Sequence, residues 1–97
     1  MRDVHLYDFV LDDKKSFIDN PEHIINSSEI SPITISNYSG FEYEIEYFDS
    51  EYNDNFYSNV IWIETLDNIY VLNLEVLAKN KDDIKPIFIN IKNSLTF

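Results

Sequence analysis

Apolar and polar residues alternate along four stretches of this chain and recur at helical steps along two others. The sharpest alternation is Phe41 to Phe48, Phe-Glu-Tyr-Glu-Ile-Glu-Tyr-Phe, with the period of two that a half-buried strand requires. It aims Phe41, Tyr43, Ile45 and Tyr47 at a core and turns Glu42, Glu44 and Glu46 the other way. The three carboxylates then stand ~7 Å apart, at two residues of ~3.3 Å rise each. Like charges so placed repel, and this comb needs water, metal or a cationic partner. Pro32 to Asn37 alternates Ile33 and Ile35 with Thr34 and Ser36, Pro32 being suited to a first strand position. Val60 to Thr65 and Ile69 to Leu77 predict a hairpin through Leu66-Asp67-Asn68. Ile61, Ile63, Tyr70, Leu72, Leu74 and Val76 face inward in this reading. Thr34, Ser36, Trp62, Glu64, Asn73 and Glu75 join the glutamates on an acidic outer face. Gly40, the only glycine, is expected to turn the chain between Asn37 and Phe41 with a positive φ.

Helical spacing brackets these strands. Val4, Tyr7, Leu11 and Ile18, with Val10 and Phe17 beside them, predict a helix from Arg2 to about Asn20. The alternation of Val4, Leu6 and Phe9 leaves open a short strand before a helix starting at Asp12 or Asp13. Asn20-Pro21 stops either. His23 to Ile30 reads as a loop or a short irregular strand. Near the C-terminus, Pro86 fits only a first helical turn, which sets the cap at Asp82 or Asp83. Ile84, Ile87, Phe88, Ile91 and Leu95 form the face that closes over the inner side of the sheet. The fold class is α+β: one domain over residues 1–97, an antiparallel sheet of about four strands, and both helices on one face. An exposed edge at Ile33 or Val60, depending on strand order, would be open to pairing.

Asp49 to Asn59 remains as an acidic, aromatic loop. Asp49, Glu51 and Asn53 fall at calcium-loop positions one, three and five, but Asp54 replaces the required glycine and Val60 the bidentate glutamate. The loop's Tyr52, Phe56 and Tyr57 either meet a protein partner or cover the edge of the core.

Composition narrows the chemistry. Seven Tyr, seven Phe and one Trp in 97 residues mark a folded chain, not an acidic tail. Without cysteine there is no disulfide framework, thiolate nucleophile or thiolate metal site. His5 and His23 stand apart, with no metal-ligand spacing. One glycine cannot make a phosphate loop, and no Gly-x-Ser-x-Gly elbow is present. The comb's spacing overlaps that of glycosidase carboxylate pairs, as any strand of alternating glutamates does. The Asn-x-Ser triplets at Asn26 and Asn37 lack a secretory signal, and no apolar run approaches a membrane span. These features point to a cytoplasmic protein that is not an enzyme and needs no cofactor. Net charge is −11, and Ser16 to Ala78 holds twelve Asp and Glu but no Lys or Arg. Such a body repels nucleic acid and anionic membrane and steers basic partners, unless the acidity serves only solubility.

The element order resembles the PsbP-like fold over residues 32 to 97. Ser39-Gly40-Phe41-Glu42-Tyr43 looks like that family's glycine before a charged alternating strand, and Tyr70-Val71-Leu72 like its Tyr-Val-Leu strand. These motifs are structural and bring no catalytic residue with them. Photosystem accessory proteins, a Ran-binding factor and bacterial effector chaperones or toxin-associated proteins share the fold, so the resemblance implies a binding module. By type, though not by motif, size and acidity also resemble the cytoplasmic immunity proteins that bacteria keep against polymorphic or contact-dependent toxins. The expected function is therefore neutralisation of a basic toxin, plausibly a nuclease, by an acidic surface that covers its active site. The alternative is an adaptor or chaperone for a secreted effector, bound through a groove or an added strand. Partner binding is assigned to Glu42, Glu44, Glu46, Asp49, Glu51, Tyr52, Asp54, Phe56, Tyr57, Trp62 and Glu64.

Overall fold

A computed structural model describes residues 6–18 and 24–96. Helix α1 (Leu6–Ile18) precedes five strands: β1 (Ile24–Ser27), β2 (Ser31–Ile35), β3 (Tyr38–Asp49), β4 (Asp54–Glu64) and β5 (Ile69–Leu77). A 3-10 turn, Ala78–Asn80, leads straight into helix α2 (Lys81–Ser94). The class is α+β, as the periodicities predict. Val4, His5, His23 and the Asn20-Pro21 stop lie outside the described residues. No helix among the described residues is long and apolar enough to cross a membrane.

All the strand pairs are antiparallel. β3 and β4 form the centre, β5 makes one edge, and β1 and β2 lie end to end along the other side of β3. Ile33 is thus on an edge strand, whereas Val60 lies in the interior. Ser36 and Asn37 make the β2–β3 turn, with φ of 52° and 68°. Two consecutive positive φ values are the mark of a tight primed hairpin turn, and asparagine tolerates that region better than most residues. Gly40 is not the turn residue. It sits inside β3 opposite Ile63, where an added Cβ would lie 1.9 Å from the Trp62 carbonyl oxygen. Its service is close approach between strands. The acidic aromatic segment is likewise mostly strand, because β4 begins at Asp54 and leaves only a short turn after Asp49.

Register decides the faces. Tyr43 is opposite Val60 and Phe41 opposite Trp62, while Glu42 is opposite Ile61 and Glu46 opposite Tyr57. Directly opposed residues share a face, so the glutamate comb lies with Ile61 and Ile63, not with Trp62 and Glu64. The expected grouping within β4 and β5 holds, with Ile61 opposite Leu72 and Trp62 opposite Val71. β3 enters that frame the other way up, since a one-residue change of phase turns over a whole strand.

The two helices consequently cover opposite faces, not one. Leu6 and Val10 of α1 pack on Tyr43, Ile45 and Val60, with Tyr7 edge-on to Phe41 at 5.4 Å. The Tyr43 hydroxyl donates to Asp13 at 2.5 Å and so ties the middle of α1 to the central strand β3. The other face gathers Ile35, Ile61 and Ile63 with Leu72, Leu74 and Leu95, the last just beyond α2. Burial of a large apolar side chain is worth about 1.5–3 kcal/mol, and these side chains are divided between the two faces. Pro86 falls in the second turn of α2, since the helix starts at Lys81 with Asn80 as N-cap.

Candidate functional site

α2 meets the sheet along Lys81, Lys85, Phe88, Lys92 and Leu95, at steps of four and three residues that hold one helix face. Phe88 is buried, whereas Ile87 and Ile91 of the expected apolar face are 50% and 36% exposed. The stripe is rotated from the expected one because the sheet beneath offers carboxylates as well as isoleucines. Lys92 donates to Glu42 at 3.1 Å, and Lys81 is paired with Glu46. Between them the Tyr57 hydroxyl hydrogen-bonds Glu44, and Asn59, almost fully buried, donates to Glu42 at 3.3 Å. Each tooth of the comb therefore has a partner within the chain. The cationic partner that the carboxylates require is the last helix.

Lys85 lies over the Tyr57 ring, 5.3 Å from its centroid, and Phe88 stacks on the same ring at 6.1 Å. Burial, the hydrogen bond to Glu44 and the charges of Glu44, Glu42 and Glu46 all push the Tyr57 hydroxyl above its ordinary pKa. The hydrogen bond to Glu46 chiefly raises Lys81. Beside this ladder, Asn26, Ser27, Ser28, Glu44, Glu46, Tyr57, Lys81 and Lys85 line a polar cleft of about 120 Å3. That is well below the roughly 300–1,000 Å3 of a site for a drug-sized ligand. Ser28 closes its wall by bonding the Glu44 backbone twice, its side-chain Oγ accepting the Glu44 N–H at 2.8 Å and its own N–H donating to the Glu44 carbonyl at 2.9 Å.

A second cluster occupies the β3–β4 turn. The Asp49 carboxylate accepts the N–H of Glu51 at 2.9 Å and that of Tyr52 at 3.4 Å, which fixes the turn from within. Tyr52 projects from it, 69% exposed, edge-on to Phe56 at 5.7 Å. Phe56 stacks on Tyr47 at 5.9 Å, and the Tyr47 hydroxyl bonds Glu75, which also accepts from Ser58 at 3.0 Å. A chain of three rings thus runs from the sheet to the tip, flanked by Asp49, Glu51 and Asp54. Burial, then Glu75 and Asp49, raise the Tyr47 hydroxyl.

The chain matches no family model, no curated protein and no solved structure. Its functional reading rests on this geometry. The structure divides the expected binding residues into three groups. Glu42, Glu44, Glu46 and Tyr57 lie under α2. Asp49, Glu51, Tyr52, Asp54 and Phe56 gather at the β3–β4 tip. Trp62 and Glu64 lie on the opposite face from the comb, where the Trp62 indole Nε1 is buried without a hydrogen-bond partner among the described residues. Sequence reasoning passed over Lys81, Lys85, Lys92 and Asn59. The four-and-three spacing of the lysines with Phe88 was the available signal, and it was masked by a second helical stripe of isoleucines.

Proposed function

We propose that this chain is a protein-binding module of the toxin-immunity type. It works in the cytoplasm, has no catalysis of its own, and neutralises a basic protein, plausibly a nuclease, by masking its cationic site. The observation that carries this reading is Tyr52, a large and mostly exposed aromatic on a turn fixed by Asp49 and ringed by Glu51 and Asp54. An aromatic anchor with a charged rim is the arrangement of interface hot spots. Carboxylates around it speed encounter with a basic partner. Since Lys81 and Lys92 already answer Glu46 and Glu42, the reading moves the contact from the comb to the tip. The net charge of −11 then steers through side chains that α2 leaves outside.

The test is capture of partners from the native cell at low salt, elution with rising salt, and titration of what elutes. One stoichiometric basic protein, released by salt with its toxic activity restored, is the expected result. Tyr52→Ala should weaken that complex by about 2 kcal/mol or more, a roughly thirtyfold loss. Replacing Asp49, Glu51 and Asp54 by their amides should chiefly slow association. Binding that ignores both salt and these changes would sink the proposal, and a salt-resistant complex with a non-basic secreted protein would favour the adaptor reading.

A further inference from the structure

The two edges of the sheet are unequally protected. On one side β1 and β2 are short, four and five residues, interrupted by Ser28 to Ile30, with a register irregularity between Ile24 and Asn26 and a proline at position 32. Such devices blunt an edge against further pairing. The opposite edge is β5, nine continuous residues without proline, lysine or glycine. Its single charge, Glu75, is held by the Tyr47 and Ser58 hydroxyls over the sheet face. In a chain of net charge −11, this edge presents almost none.

We infer that β5 is an interface with a second copy of this chain, paired antiparallel about a two-fold axis through Asn73. The sequence Ile69-Tyr70-Val71-Leu72-Asn73-Leu74-Glu75-Val76-Leu77 is nearly self-complementary about its centre. Antiparallel pairing sets Leu72 opposite Leu74 and Tyr70 opposite Val76 on one face, and Val71 opposite Glu75 on the other. No like charges meet, although the two bodies repel elsewhere. Val71 is 52% exposed in the single chain and would be covered. α2 also touches β5, and its Ile87 and Ile91 are exposed. The two-fold axis brings this helix toward its counterpart. The result is a closed dimer with one continuous sheet of ten strands, its two acidic tips at opposite ends. A partner with a charged or irregular strand lacks this match, which is why the occupant is a second copy.

Register makes the inference testable by charge. Sedimentation velocity over the micromolar range should show a species of twice 11.5 kDa. Val71→Glu places two Glu–Glu pairs across the axis and should weaken the dimer roughly tenfold or more. Val71→Lys places two Lys–Glu pairs there and should leave the dimer intact or tighter. Both variants change an exposed position, and circular dichroism should show each folded as the parent chain is. A monomer throughout that range overturns the inference, as does a dimer that survives Val71→Glu or is lost with Val71→Lys.

Discussion

Gly40 shows how a single missing methyl group sets the spacing of β3 and β4. An alanine there would place its Cβ 1.9 Å from the Trp62 carbonyl oxygen and 2.7 Å from Ile63 Cδ1. The first obstacle is backbone and cannot rotate away. Gly40→Ala is therefore expected to destabilise the fold by roughly 2–4 kcal/mol, read as a lower urea midpoint. The tyrosines set a limit of another kind. Burial and Asp13 raise the Tyr43 hydroxyl, and burial with glutamate neighbours raises those of Tyr47 and Tyr57, above their ordinary 10.0. The unfolded chain would lose these protons first, so stability is intact below about pH 10 and declines as pH rises beyond it. Lys81, lifted above 10.5 by Glu46, acts in the same sense, because its pairing is complete at lower pH and is lost as it deprotonates. Urea midpoints should fall steadily on the alkaline side of pH 10, and Tyr57→Phe should shallow that fall.

Among the elements, α2 carries the most consequence. Lys81 and Lys92 stand eleven steps apart, about 16 Å of helix, while Glu42 to Glu46 span about 13 Å of strand. Long side chains take up the difference. Lys92 and Glu42 are only 16% and 20% exposed, so removing one partner leaves a largely buried charge unpaired. Lys92→Met is expected to cost about 1–3 kcal/mol, and Glu42→Gln added to it should recover part of that loss, measured as a double-mutant cycle in urea. Pro86 removes the N–H that would bond to the Asp82 carbonyl, so Pro86→Ala should stabilise α2 by about 1–3 kcal/mol. The strands themselves were legible, because the period of two in Tyr38–Asp49 and Ile69–Leu77 does not depend on what lies above the sheet. Their faces were less so. A sheet covered on both sides has no solvent face, and the alternation of β3 then says which residues go together without saying toward which helix. The comb resembled an outer surface because its partners lie some forty residues further along the chain.

At the scale of the whole molecule, charge is distributed by covering. The comb is compensated under α2, while the β3–β4 tip keeps Asp49, Glu51 and Asp54 around Tyr52. The expected binding residues were thus legible as kinds of side chain but not as one surface, because register and the second helix separate them into three places. The uncompensated remainder of −11 repels itself at low ionic strength. Thermal stability should consequently rise as salt is raised from low to physiological levels, with the partly buried Lys–Glu pairs screened less than the surface.

Because synthesis runs from the first residue to the last, α2 is the final described element to leave the ribosome. Until Lys81 and Lys92 emerge, Glu46 and Glu42 on β3 lack their cationic partners, and the comb's own repulsion disfavours the extended strand. Completion of the sheet is thereby expected to wait for α2. A nascent chain halted after Leu77 should accordingly yield to protease where one released after Leu95 resists it.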